Sequence, residues 1–230
     1  MENPKRYFQR FTLNQRAQHV ILIVSLIVLV LTGFPLKYAE SDISQSLVNL
    51  MGGWEMRGYI HRAAAVALGS LGIFHIVSFV ASRKRSTKML PRLKDIKDFG
   101  GYLKYLVGRG EHPKYDRFSW KEKFEYWGIV WGMIIMGVTG IMMMYPSDSA
   151  RIFGSPAWVE VAWSAHSYEA FLAVMAIIIW HFWSVHFNPK KFPMNKVWLT
   201  GKLSEEEMKE EHPLEYEAMV MEAKGSDGGQ

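Results

Sequence analysis

Four long apolar runs, Val20 to Leu36, Tyr59 to Ala81, Phe124 to Tyr145 and Val159 to Phe187, constrain this 230-residue chain more than any other feature. A helix that crosses the hydrocarbon of a bilayer needs about 20 predominantly apolar residues. Within lipid, a single segment satisfies its own backbone amides only as a helix. Each run is close to or above that length, so the sequence predicts an all-α integral membrane protein: a four-helix bundle with spans at about 17–36, 59–81, 124–145 and 159–187. The first run continues into Gly33, Phe34 and Pro35 with no small-residue cleavage site, and so reads as a retained helix and not a signal peptide. Residues 1–200 are expected to form one membrane domain, followed by an acidic tail over 201–230.

The charges fall between the runs. Arg83, Lys84, Lys94, Lys97, Lys104 and Lys121 are among the many cations between the second and third, Lys5, Arg6, Arg10 and Arg16 precede the first, and Lys190, Lys191 and Lys196 follow the fourth. The other two connections hold only Lys37, Arg57 and Arg151. By the bias of Lys and Arg toward cytoplasmic loops, both termini and the central loop face the cytoplasm and the two short connections face outward, in a prokaryotic inner membrane. The net charge of +5 therefore belongs to membrane topology and not to nucleic-acid binding. In the central loop Leu93, Ile96, Phe99, Leu103 and Leu106 recur at helical spacing among lysines. That pattern fits a helix lying on the inner membrane surface or one packed on the bundle. In the tail, Ser204 before Glu205, Glu206 and Glu207 has the form of a helix N-cap with carboxylates in the first turn, which predicts a solvated helix. Gly225 to Gln230 is expected to be disordered, and no internal repeat is evident. Cysteine is absent, which excludes disulfides, thiolate metal sites, cysteine-ligated iron-sulfur clusters and covalent c-type haem.

Six of the eight histidines, His19, His61, His75, His166, His181 and His186, lie in or beside the apolar runs. Ionisable residues are costly in hydrocarbon and usually mark function there. His61 and His75 are 14 residues apart on the second run and His166 and His181 are 15 apart on the fourth, roughly 21 to 22 Å along each axis and within about 40° and 60° of one face. Facing histidines at two depths would make two bis-imidazole sites stacked across the membrane, which suits iron porphyrin. Zinc is poorly served, because it wants four tetrahedral ligands. At the inner depth His19 competes with His75 as the partner of His181, and a third site from His19, His75 and His186 stays open. Arg57, Arg62 and Arg16 stand near enough in sequence to pair with porphyrin propionates. Gly128 and Gly132 form a small-xxx-small pair suited to close helix packing. His112 and His212 read as surface residues.

The segments RFTLNQRAQH, IHRAAAVALGSLGIFH, DRFSWKEKFEYWGIVWGMIIMGVTG and GKLSEEEMKEEHPLEYE resemble the cytochrome b subunits of membrane-bound formate dehydrogenases and of the related hydrogenases and thiosulfate reductases, over nearly the whole chain. The resemblance implies a four-helix, di-haem, quinone-reactive subunit with haem b as cofactor. It implies an outer haem held by His61 and His166, and an inner haem held by residues matching His19 and His181. The chain departs from that pattern in a fourth-run spacing one residue longer and in the extra His75 and His186. The spacings of 14 and 15 are instead similar to those of bc- and b6-type cytochromes b, which favours His75 with His181.

These readings converge on a membrane electron conduit carrying two b haems, or three if two of His19, His75 and His186 hold another. It would relay electrons between menaquinone or ubiquinone and an outer-face redox subunit of iron-sulfur or multihaem cytochrome c type. Ser119, Glu122, Glu125 and Tyr126 are candidates for the quinone site at the inner side. Such a chain is a subunit of an oxidoreductase complex and not a complete enzyme. The competing readings are a histidine-lined proton or metal transporter and a membrane anchor without haem.

Overall fold

The computed structural model describes residues 6–82, 86–189 and 191–227, the last four by backbone alone. Lys5, Arg83, Lys84, Arg85, Lys190 and the end of the C-terminal stretch, 228–230, lie outside the described residues. Strand β1 (Tyr7–Gln9) is followed by helices α1 (Leu13–Lys37), α2 (Asp42–Leu50), α3 (Trp54–Ala81), α4 (Leu93–Leu106), α5 (Trp120–Met144), α6 (Pro146–Phe153) and α7 (Ala157–Met175). A short helix α8 (Val197–Thr200), strand β2 (Lys202–Ser204), α9 (Glu205–Glu211) and α10 (Pro213–Asp227) complete the described chain. Four helices are long and apolar enough to cross a membrane: α1, α3, α5 and the stretch Ala157–Phe187 that begins with α7. The protein is thus an all-α membrane four-helix bundle. Each span begins ahead of its apolar run, by seven residues in α1 and by two in the fourth, and the short helices that follow the first and third spans carry caps of their own. Ser41 caps α2, Pro146 opens α6, and Gly154 closes α6 at φ +77°.

The fourth span changes its winding. It is α-helical to Met175 and π-helical over Ala176–His181 and Trp183–Phe187. There the amides of Phe182 and Asn188 donate to the carbonyls five residues back, at Ile177 and Trp183. A π turn holds one residue more than an α turn, so it absorbs an inserted residue without shifting the faces beyond it.

The chain divides into two compact units, one of residues 13–83 and 129–195 and one of 1–12, 84–128 and 196–230. The first contains α1, α3, the fourth span and most of α5. In the second, β1 pairs antiparallel with β2, Phe8 opposite Leu203. Phe8, Leu203 and Met208 form its small apolar core, with Tyr216 edge-on to Phe8. The tail is therefore not solvated along its length. Ser204 caps α9 through a reciprocal box with Glu207, as its sequence indicates, while Met208 on the same helix is buried. Helix α10 continues through Asp227, so the stretch from Gly225 starts as helix.

A buried ion cluster ties the three segments of this unit together. Arg10 is 3% exposed and Glu215 5% exposed. Arg10 Nη1 donates to Glu215 Oε2 at 2.6 Å, and Arg117 Nη1 donates to Glu215 Oε1 at 2.7 Å. Arg10 also donates to the Arg117 carbonyl and lies 3.4 Å from Glu122 Oε1. His212, expected at the surface, is 4% exposed and donates from Nδ1 to the Asp116 carbonyl at 2.9 Å. Burial, and then the charge of Arg10, push its imidazole below the ordinary histidine pKa.

Helix α4 packs through one side, with Asp95 on Lys123 at 2.8 Å and Phe99 against Trp120 at 4.9 Å. Leu93, Ile96, Leu103 and Leu106, on the same stripe as Phe99, are exposed. Because removing one partner of a buried ion pair leaves a charge uncompensated, Arg10→Met should cost about 3–5 kcal/mol in this unit. Limited proteolysis should then cleave 196–227 while the four spans stay intact; unchanged resistance would refute the cluster's role.

Candidate paired-histidine sites

The spans bring two pairs of imidazoles together. His61 on α3 and His166 on α7 have ring centroids 6.4 Å apart and planes inclined by 59°. Each ring is held from behind by a threonine of the preceding span. Thr32, 1% exposed on α1, donates its hydroxyl to the Val28 carbonyl at 2.6 Å, which leaves its oxygen to accept from His61 Nδ1 at 2.8 Å. Thr139 on α5 does the same: its hydroxyl donates to the Ile135 carbonyl at 2.6 Å and accepts from His166 Nδ1 at 2.9 Å. Both histidines are thereby fixed with the proton on Nδ1 and the lone pair on Nε2, the nitrogen available to a metal. The next residue in each case is glycine. A Cβ at Gly33 would stand 3.4 Å from His61 Cε1, and one at Gly140 would stand 3.5 Å from His166 Cε1.

These two Thr-Gly shelves expose an internal correspondence that the sequence did not announce. Thr32-Gly33 on α1 serves α3, and Thr139-Gly140 on α5 serves α7. Thirteen residues before each threonine stand His19 in the first half and Tyr126 in the second, and before those Gln18 and Glu125. The signal was the repeated dipeptide TG inside two apolar runs, each about one hairpin ahead of a histidine.

The second pair is His19 on α1 and His181 on the π-helical stretch, again with centroids 6.4 Å apart and planes at 60°. The π-helical stretch Ala176–His181 lies between His166 and His181 and makes room there for one residue more than an α-helix holds. His75, favoured by spacing as the partner of His181, has its Nδ1 2.8 Å from Gln18 Oε1. His186 lies at the end of the span, with its ring 5.3 Å from that of Phe182 and its Nδ1 3.4 Å from the Pro193 carbonyl.

Two of the four quinone-site candidates form a helix cap. Ser119 and Glu122 form a capping box at the start of α5: the Ser119 amide and hydroxyl donate to Glu122 Oε2 at 2.7 and 2.8 Å, and the Glu122 amide donates back at 3.3 Å. Glu125 and Tyr126 follow one turn later on α5, with the Tyr126 ring edge-on to Trp127. Gly128, expected at a close helix contact, would meet nothing within 4 Å if given a Cβ. Gly132 instead makes room for an acid that the sequence reading passed over. A Cβ there would stand 2.9 Å from Glu169 Oε1, three residues beyond His166 and inside the fourth span.

The pair geometry fits an iron porphyrin. Two imidazoles facing one another at 6.4 Å would hold an iron porphyrin between them, from His61 and His166 in one pair and His19 and His181 in the other. Plain edge contacts in this protein close further, to 5.1 Å for Tyr105 with His112. Among the described residues no group of three or more His, Asp or Glu is placed to hold a bare metal ion. Two imidazoles therefore suffice only for an iron whose remaining ligands come with it. Near the first pair, Arg57 donates from Nη1 to the Thr32 carbonyl at 2.5 Å, while its buried Nε has no hydrogen-bond partner among the described residues, as a carboxylate-bearing group would leave it. Arg62, the other arginine beside His61, packs its guanidinium over the Tyr59 ring at 4.8 Å.

A family model described as prokaryotic cytochrome b561 matches residues 10–192, and the chain belongs to that family. No curated protein matches the chain. It is accordingly a multi-pass prokaryotic membrane protein that binds haem b and transfers electrons.

Loss of an outer hydrogen bond to a ligating histidine typically weakens a metal site about ten- to a hundredfold. Thr32→Val and Thr139→Val, which keep the shape and remove the acceptor, should each release haem at that scale on titration with a haem-scavenging apoprotein. Retention equal to wild type in both would show that the threonines do not position the rings.

Proposed function

We propose that the protein is the membrane electron conduit of a larger oxidoreductase, carrying one b haem between His61 and His166 and a second between His19 and His181. The observation that carries this is the same 6.4 Å separation in both pairs. On the fourth span the pairs are separated by the 15 residues from His166 to His181, roughly 20 Å along the bundle. Each haem supplies an iron that takes up and releases one electron without covalent change. The chain's own contribution is to fix the rings, through Thr32 and Thr139 at one depth, and to surround them with apolar helix.

The distribution of lysine and arginine supports an orientation with both termini and the α4 region cytoplasmic and the His61–His166 pair toward the outer face. A chain without iron-sulfur or flavin motifs exchanges electrons with partners at both ends. At the outer end that partner is a redox subunit of iron-sulfur or multihaem type. At the inner end it is the quinone pool, menaquinone or ubiquinone, with Glu125 and Tyr126 as polar groups available on α5. The resemblance to formate dehydrogenase, hydrogenase and thiosulfate reductase cytochromes b supports the same assignment, and the π turns remove the one-residue discrepancy that set the fourth span apart from that pattern.

The test is rapid mixing of the purified, oxidised protein with short-chain menaquinol and ubiquinol. Reduction of b haem by at least one of them, to the extent that dithionite reaches or in proportion to its potential, is expected. Haem that dithionite reduces and neither quinol touches would overturn the quinone end of the relay.

A further inference from the structure

We infer that α4 is a lipid-binding element, whose apolar stripe seats in the surface of the bilayer and whose flanking lysines, Lys97 and Lys104, hold the phosphates of anionic phospholipid. The packing of α4 is the reverse of that of a helix in water, which turns its apolar side inward and its polar side out. Here the polar side is turned to protein. Asp95 meets Lys123 at 2.8 Å, Lys94 Nζ donates to the Lys114 carbonyl at 2.9 Å, and the Tyr105 ring stands edge-on to His112 at 5.1 Å. The apolar side is open. Leu93 is 79% exposed and Ile96 69%, and Leu103, Leu106 and the C-cap residue Val107 are exposed beside them.

Depth and charge define what covers that stripe. Tryptophans at the ends of a span lie at the headgroup level, and α5 begins its crossing with Trp120 and Trp127. Both are tied to α4 or to the turn that leads into it. Phe99, at the edge of the stripe next to Asp95, meets Trp120 at 4.9 Å, and Trp127 Nε1 donates at 3.0 Å to the carbonyl of Met89, four residues before α4. These contacts hold α4 at headgroup depth, where lipid is the occupant already present. At roughly 100° per residue, Leu93, Ile96 and Leu103 lie within about 80° of one another, and Lys97 and Lys104 stand within about 40° of Leu93, along the margin of the stripe. Both lysines are exposed, and among the described residues the ion pairs of this stretch engage Lys88, Lys94 and Lys123 instead. Acyl chains therefore cover the leucines and Ile96 while two ammonium groups reach the phosphates, an arrangement that favours lipids of net negative charge.

The experiment uses the full-length, haem-loaded protein in vesicles of phosphatidylcholine with phosphatidylglycerol. The chain has no cysteine, so one introduced thiol carries a nitroxide at a single place. Labels on Ile96→Cys and Leu103→Cys should be open to oxygen and shielded from a water-soluble nickel chelate. A label on Tyr105→Cys, about 160° round the helix from Leu103, should be the more open to the chelate. Stripe labels as open to the chelate as that at Tyr105 would overturn the proposal. Shielding from both reagents would place protein, such as a second copy of the chain, over the stripe and overturn it too. Native mass spectrometry supplies the second readout, the retention of phosphatidylglycerol relative to phosphatidylcholine. Replacing both lysines, Lys97→Gln with Lys104→Gln, should lower that preference about tenfold with haem content unchanged, and Lys97→Arg with Lys104→Arg should keep it. An equal preference in wild type and the glutamine variant would overturn the role of the two lysines and the proposal with it.

Discussion

Everything else in the membrane unit depends on one hydrogen bond made twice, from a histidine Nδ1 to a threonine hydroxyl on the neighbouring span. An imidazole in hydrocarbon must satisfy two nitrogens, and a span has few polar groups to offer. The threonine solves half of this without adding a charge. Its hydroxyl proton is spent on its own helix, to Val28 or Ile135, so its oxygen is an acceptor only. The histidine is then locked in one tautomer with Nε2 left for a ligand. The glycine that follows each threonine lies against the ring, where a Cβ would come into van der Waals contact with Cε1. From these constraints follow the closeness of α1 to α3 and the facing of the His61 and His166 rings.

The inner pair is reached by different means. No second shelf is available on α1, whose corresponding turn carries His19 itself, and the fourth span arrives with one residue too many. The π turns from Ala176 onward spend that residue, and His181 comes to stand 6.4 Å from His19. Distorted winding at that place is informative, since a π turn gives up α-helical hydrogen bonding and survives where the faces beyond it must be kept in register. The other unit is governed by another kind of interaction. There a glutamate shared by two arginines joins an N-terminal segment, a central loop and a tail that are distant in the chain.

Much of this was legible in the residues. Run length gave the four spans, Ser204 with Glu207 gave the cap of α9, and the histidine spacing gave the facing of His61 and His166. What could not be read shares a physical origin. Pairing of Tyr7–Gln9 with Lys202–Ser204, and of Arg10 with Glu215, joins positions some two hundred residues apart, beyond any periodicity. The choice between His19 and His75 for the company of His181 turned on a change of helix winding, whereas the spacing argument assumed α-helix throughout. Thr32 and Thr139 were overlooked because a threonine in an apolar run carries no charge and reads as filler. Glu169 was overlooked because a single acid was counted as an exception to the hydropathy of the span, when Gly132 opposite had been left small to admit it.

The central claim is that the two pairs are two bis-imidazole sites, and it is tested most directly by counting haem and reading its coordination in one sample. A pyridine haemochrome assay with low-temperature electron paramagnetic resonance of the oxidised protein should give two b haems per chain, both six-coordinate and low-spin. One haem per chain, three, or a high-spin ferric signal at full occupancy would contradict the account.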